Sequence, residues 1–245
     1  MKEKFALIVG AKSDIARAIT ARFAKEGWNF YLAGRGEEEL KKECVDTEIR
    51  FKVKAVPCVL DVLEFEKLDG FYAALNPKPE LVICVAGYMP KQEESEKDTS
   101  LAAKVIGANF TGCALLLDIA ANEMEAAKRG SVIGISSVAG ERGRATNYIY
   151  GSAKAGFTAF LSGLRNRLAF SGVHVMTVKP GFVFTKMTEG LPLNPKLTAT
   201  PEKVAEDVYR GWTKNKNVVW TKGMWRMIMW IIRNIPEWKF KKMKL

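Results

Sequence analysis

Short apolar runs recur along the chain and alternate with longer segments whose apolar positions return every three or four residues. "FALIVG", "NFYLAG", "FKVKAV", "LVICVAG", "SVIGIS", "VHVMTV" and "NVVW" read as strands. Between them, "SDIARAITARFAKEG", "EEELKKECV", "LEFEKLDGFYAAL", residues 98–128, "IYGSAKAGFTAFLSGLRNRLAF" and "PEKVAEDVYRGWTK" read as helices. This alternation predicts an α/β fold, a doubly wound parallel sheet of about seven strands with helices on both faces. Ligands of such sheets gather at the carboxyl ends of the strands. Functional side chains are therefore expected just after each apolar run.

A chain of 245 residues is the size of one domain with one sizeable core. The pattern places that domain at residues 1–221 and leaves 222–245 as a tail. Hydrophobic residues at 48% and charged residues at 27% describe a globular protein rather than a disordered one. The opening "MKEKFALIVGA" is interrupted too soon for a signal peptide. Cys44, Cys58, Cys84 and Cys113 show no paired spacing, and His174 is the single histidine. Neither a metal site nor a disulfide framework is expected, and a reducing cytoplasm is the simplest setting. His174, in an alternating strand, is expected to be structural.

After the first strand comes "VGAKSDIARAI", a glycine turn leading into a helix. Free backbone amides and the helix dipole can hold a pyrophosphate there, so Gly10, Lys12, Ser13, Asp14 and Ile15 are candidate contacts, with an ordinary strand-to-helix cap as the alternative reading. Asp14 is at odds with that use unless its carboxylate turns away to cap the helix or meet Arg17. The second strand ends with Arg35 and no acid at its tip; a guanidinium suits a ribose 2′-phosphate, and Lys12 can approach the same group. Further on, Asp61 can meet an adenine amine or merely cap a helix, and Ala86 with Gly87 lets a ligand approach the backbone closely.

The stretch "NYIYGSAKAG" offers two tyrosines and one lysine. Positions four apart share a helix face, so Lys154 faces Tyr150, while Tyr148 looks elsewhere. A phenol ordinarily ionises near pH ~10, and a neighbouring ammonium eases its proton transfer. Tyr150 is thus a candidate acid/base for a carbonyl or alcohol, with Ser137, at the end of the fifth strand, able to hold the reacting oxygen.

With Ser137 thirteen positions before Tyr150, Asn109 in "NFTG", and Pro180-Gly181 in "KPGFVFT", the chain resembles the short-chain dehydrogenases/reductases from residue 4 to about 220. The glycine turn departs from that family's three glycines at Asp14 and Ala16, and "CVAG" replaces its N-N-A-G. The resemblance implies a Rossmann-type catalytic domain using a nicotinamide dinucleotide, for which Arg35 and Lys12 favour NADP(H), with Asn109, Ser137, Tyr150 and Lys154 as the catalytic set. It implies that Lys154 also binds the nicotinamide ribose, and that Pro180, Gly181, Val183 and Thr185 contact the nicotinamide end. Interconversion of a ketone and a secondary alcohol is the expected reaction. A homodimer or homotetramer is the expected assembly.

The resemblance implies that the segment after Pro180-Gly181 folds over the substrate, where Phe182, Phe184, Met187, Leu191 and Leu193 would make an apolar lid; a packed surface loop is the alternative. In the tail, Lys222, Arg226, Arg233, Lys239, Lys241, Lys242 and Lys244 stand against a single acid, Glu237, which places much of the net charge of +11 at one end. A helix over 224–235 gathers Trp225, Ile228, Met229, Ile231, Ile232 and Ile235 on one face. The helix is too short to span a bilayer, so 223–245 either lies on an anionic membrane, with Trp230 and Trp238 near the headgroups, or covers an apolar surface of its own or of a partner subunit. The tail and "PGFVFTKMTEGLP" are similar to decaprenylphosphoryl keto-sugar reductases, which implies a lipid-linked substrate and a position on the inner face of the membrane. The competing expectations are a soluble 3-oxoacyl or small-ketone reductase whose tail serves oligomerisation, and a non-catalytic NADP-binding protein at the membrane. No groove-reading or base-stacking module accompanies the basic charge, so nucleic acid is not an expected partner.

Overall fold

The computed structural model describes residues 3–190 and 192–243. Seven parallel strands form one sheet: β1 (Phe5–Val9), β2 (Asn29–Gly34), β3 (Ala55–Val59), β4 (Leu81–Cys84), β5 (Gly130–Ile135), β6 (Val173–Lys179) and β7 (Val218–Trp220), in the spatial order β3-β2-β1-β4-β5-β6-β7. The central strands are apolar on both faces because both faces are covered. Phe5, Leu7 and Val9 point into one core layer, and Ala6 and Ile8 into the other, as the two-residue period of a strand requires. Leu7 and Ile8 are fully buried, each contributing roughly 1.5–3 kcal/mol relative to exposure.

Helices α1 (Asp14–Ala24), α2 (Glu37–Phe51), α3 (Leu68–Ala73), α4 (Gln92–Ser95), α5 (Thr99–Ile106), α6 (Gly112–Ala127), α7 (Tyr148–Arg167), α8 (Pro201–Thr213), α9 (Met224–Asn234) and α10 (Glu237–Phe240) make the connections and the C-terminal end. Helices α3, α6 and α7 bury one sheet face, and α1, α2 and α8 the other. The continuous helical stretch Thr99–Ala127 is long and apolar enough to cross a membrane, yet half of its most apolar window is buried inside the protein, as befits a core helix. The four cysteines are unpaired.

Two boundaries differ from the sequence expectation. Helix α2 runs on to Phe51, ends at Lys52 in the left-handed conformation, and β3 begins only at Ala55. The apolar Phe51 and Val53, which read as strand, pack against the core from the end of the helix. Pro57 is tolerated inside β3 because that strand lies at the sheet edge.

The strand order reverses between β1 and β4, which opens a crevice at their carboxyl ends. Gly10 closes β1 with φ +83°, and a Cβ there would lie 2.7 Å from the Ala86 nitrogen beyond β4. Only glycine satisfies both the backbone angle and the close approach.

Candidate active site

A cleft of about 230 Å³ sits at this crevice. Gly10, Lys12, Ser13, Arg35, Asp61, Ala86 and Gly87 line it, together with Tyr88, Lys104 and Met187. Ser13 caps α1 by accepting the Ala16 N–H at 3.2 Å. The amides of Asp14 and Ile15, one step further, have no acceptor among the described residues and remain available to an anion at the helix N-terminus. Asp14 turns its carboxylate away from them: Oδ2 accepts the backbone N–H of Lys186 at 2.9 Å, and Oδ1 lies 3.7 Å from Arg17.

At the tip of β2, Arg35 lies 3.9 Å from Asp61 and Lys12 lies 3.9 Å from Glu39, both loose and largely exposed pairs. Exposed pairs at this distance contribute little stability, so both cations can exchange carboxylate for phosphate at little cost. Asp61 also closes its own turn by accepting the Leu63 N–H at 3.0 Å.

Two of the catalytic candidates, Asn109 and Lys154, meet at Gly87. Lys154 is 3% exposed, its Nζ donates to the Ile135 carbonyl at 3.1 Å, and it lies 5.8 Å from the centre of the Tyr150 ring. Tyr148, on the other side of α7, is 45% exposed and lines a separate groove with Ile106 and Ser152. A Cβ on Gly87 would meet Asn109 Oδ1 at 2.8 Å and Lys154 Nζ at 3.7 Å. Glycine therefore keeps this space open between amide and ammonium.

Strand alternation separates the two serines after β5. Ser136 points inward and bonds the Lys154 carbonyl and Thr158 Oγ1, at 3.0 and 2.6 Å. Ser137 points outward, its Oγ accepting the Ala139 N–H at 3.1 Å, which leaves its own hydroxyl proton to donate.

Asn109 is fully buried in a π turn, Gly107–Thr111, between α5 and α6. Its Nδ2 donates to the carbonyls of Tyr88 and Val105, at 2.6 and 2.8 Å, and its Oδ1 accepts the Tyr88 N–H at 3.2 Å. The side-chain amide is thus committed to fixing the exit of β4. A π turn of this kind is a frequent mark of a functional position in a helix. Nearby, Cys84 and Cys113 sit fully buried as a hydrogen-bonded pair, and that bond together with burial pushes the Cys84 thiol well up.

Beyond β6, the Phe184 N–H donates to the Ala199 carbonyl and the Ala199 N–H to the Phe182 carbonyl, both at 2.9 Å, and Val183 between them is buried in the core. Thr185 and Thr188 cap a short turn reciprocally. Asp14, Ile15, Tyr150, Lys154, Pro180, Gly181, Val183 and Thr185 do not line the cleft itself, although the Lys154 ammonium stands beside Gly87 at its edge; the other expected cofactor contacts do line it. Phe182, Phe184 and Met187 are exposed and Leu193 half-buried; Leu191 lies outside the described residues.

The tail corrects the sequence expectation. Trp225 and Met229 are buried against the body, over Val138 and beside Leu197, whereas Ile231 is 52% exposed on the far side of α9. The Trp225 indole covers Gly181, leaving no room for a Cβ there, donates to the Leu197 carbonyl at 2.9 Å, and meets Phe182 edge-on at 5.6 Å. Arg142, in the loop after Ser137, donates to the carbonyls of Ile232 and Ile235, both at 2.6 Å, pairs with Glu237 at 2.8 Å, and stacks on Phe240. Helical periodicity could find the apolar positions of the tail but not which of them dock. The cleft residues Tyr88 and Lys104 carried no sequence signal.

Residues 4–196 match the family model described as short chain dehydrogenase. A Mycobacterium tuberculosis protein named as an oxidoreductase is 31% identical over 240 residues, 97% of this chain and 96% of its own. Among solved structures, a short-chain dehydrogenase from Sphingobium yanoikuyae in complex with NADPH superposes with TM-score 0.82 at 19% identity, covering 96% of this chain and 97% of that one. A single-site variant of the actinorhodin polyketide ketoreductase with NADPH gives 0.78 at 24% identity, covering 88% and 94%.

Proposed function

The chain belongs to the short-chain dehydrogenase family, and from that premise we propose that it reduces an apolar ketone to a secondary alcohol with NADP(H). The observation that carries this reading is the Tyr150–Lys154 pair on α7, with the Lys154 ammonium beside Gly87 of the cleft. The cleft suits a dinucleotide: free amides at Asp14 and Ile15 for the pyrophosphate, side-chain-free backbone at Gly10 and Gly87, and Arg35 with Lys12 for a 2′-phosphate. When bound, NADPH supplies a hydride for the carbonyl carbon. Tyr150 donates its hydroxyl proton to the carbonyl oxygen, and Ser137, whose oxygen is already engaged with Ala139, donates a hydrogen bond to that same oxygen. The Lys154 ammonium, held by the Ile135 carbonyl, offsets the negative charge that proton loss leaves on Tyr150. Asn109 acts as a positioning residue by fixing the backbone at Tyr88.

Exposed Phe182, Phe184 and Met187 on the lid favour an apolar substrate, lipid-linked ketones included. Exposed Ile106, Leu115 and Tyr148, on the helices after β4 and β5, favour a homo-oligomer through that face. Turnover of NADPH with a panel of acyl, alicyclic and polyprenyl-linked ketones tests the reading. Tyr150→Phe should lower kcat by about 10²–10⁴-fold while NADPH binding, followed by its fluorescence, stays unchanged. An active Tyr150→Phe enzyme would refute the assigned role. The burial of Trp225 and Met229 also favours a second reading, a soluble 3-oxoacyl or small-ketone reductase whose tail covers its own body.

A further inference from the structure

Helix α9 carries two apolar stripes, and its packing uses only one. Trp225 and Met229 are buried, and Ile228 and Ile232 pack against the same cluster. Met224, Met227, Trp230 and Ile231 follow the i, i+3, i+4 rule on the other side and stand 47%, 63%, 68% and 52% exposed. Trp238 on α10, 69% exposed, adds another indole. A lone exposed apolar residue needs no explanation, but large side chains gathered along a single helix mark a contact surface.

The surrounding charge identifies what that surface meets. Arg226, Lys239, Lys241 and Lys242 are exposed and have no carboxylate partner among the described residues. An apolar face with two indoles, bordered by unpaired cations, is complementary to a lipid surface with anionic headgroups, where indoles settle at headgroup level and cations neutralise phosphate. The outer stripe is too short to cross a bilayer, for which ~20 residues are needed, so the helix would lie in the surface plane. The helix is also fixed in orientation. Trp225 is seated over Gly181, and Arg142 ties the end of α9 and the start of α10 to the loop that follows Ser137.

We propose that the outer face of α9 and α10 is a docking surface for anionic phospholipid membranes, held rigidly beside the mouth of the active site. It is distinct from the buried stripe that fastens the helix to the body, and it stands whether or not the substrate is a ketone. The docked protein would present its lid, with Phe182 packed on Trp225, toward the lipid.

Sedimentation of the full-length protein with sucrose-loaded vesicles tests this. Vesicles of phosphatidylcholine with a one-third share of phosphatidylglycerol should carry the protein down, and pure phosphatidylcholine vesicles should bind it at least about ten-fold more weakly. The double variant Trp230→Ser/Ile231→Ser should lose about ten-fold or more in binding to the anionic vesicles, with its thermal unfolding midpoint kept because Trp225 and Met229 are untouched. Replacing Lys239, Lys241 and Lys242 by Gln should weaken binding and flatten its salt dependence. A parent protein that ignores the anionic vesicles, or a double variant that binds them as well as the parent, overturns the proposal. So does a double variant that turns a dimer into a monomer in light scattering while neither form binds vesicles, because the surface would then belong to a second copy of the chain.

Discussion

Asp14 and Lys186, 172 positions apart in the chain, are joined by a hydrogen bond of 2.9 Å from the Lys186 backbone N–H to the Asp14 carboxylate. One residue sits at the start of α1 and the other in the segment after β6, so the carboxylate that interrupts the glycine turn also latches that segment to it. Asp14→Ala removes the latch, and Asp14→Asn keeps an acceptor without the charge. Stopped-flow measurement should show NADPH leaving Asp14→Ala about 2–10-fold faster, the worth of one ordinary hydrogen bond. Asp14→Asn should bind NADPH at least as tightly as the parent. Equal release rates for all three proteins would show that the latch does not govern cofactor exchange.

Arg35 and Lys12 stand at the rim of the cleft with weakly held carboxylate partners. Arg35→Ala should weaken NADPH binding by about ten-fold or more, in line with loss of a charge-assisted phosphate contact, and leave NADH binding nearly unchanged. Parallel titrations of both nucleotides check this. A loss shared equally by NADPH and NADH would place Arg35 outside the phosphate site.

Trp225 joins the tail to the loop that carries Gly181. Trp225→Ala removes a 5%-exposed indole and should cost about 3–5 kcal/mol of stability, as large core truncations do. Chemical denaturation measures the loss. Exposed Trp230, one turn further on the opposite face, should tolerate the same replacement with a change of less than about 0.5 kcal/mol.

Burial pulls the His174 imidazole below its ordinary range, against the smaller opposing effect of its bond to the Lys216 carbonyl. The folded state therefore binds this proton less readily than the unfolded chain. Its contribution is fully present above pH ~6.5 and is lost as the pH falls below that value toward the folded pKa, with a slope of at most ~1.4 kcal/mol per pH unit. Unfolding measured between pH 5 and 7, on the order of the imidazole range, should show this slope in the parent and a flatter profile in His174→Asn.

The sheet, the position of the crevice, and the facing of Tyr150 and Lys154 were legible because each rests on a short-range period that tertiary contacts reinforce. Ser137 was legible from its place at the end of the fifth strand and its spacing to Tyr150, whereas the opposite facing of Ser136 and Ser137 shows only in the structure. The start of β3 was not, because Phe51 and Val53 are apolar for helix-end packing and imitate a strand. The tail was half legible. Its periodicity shows that apolar side chains cluster, but Trp225 docks and Ile231 does not because of where Gly181 and Leu197 lie, far away in sequence. The use of Asp14 depended on the lid 172 positions later, which no local pattern contains.

The π turn at Gly107–Thr111 makes the stretch from Thr99 to Ala127 two helices with different phases. The one-residue widening sets the face that α6 turns to the sheet, where Cys113, Leu116, Leu117, Ala120 and Ala121 are all buried. Deleting a single residue inside the turn would swing that whole face by about 100°, the angle per residue of an α-helix, and expose it. The length of this segment is therefore as strict a constraint as its composition, in which Gly112 has no room for a Cβ beneath the Val62 carbonyl.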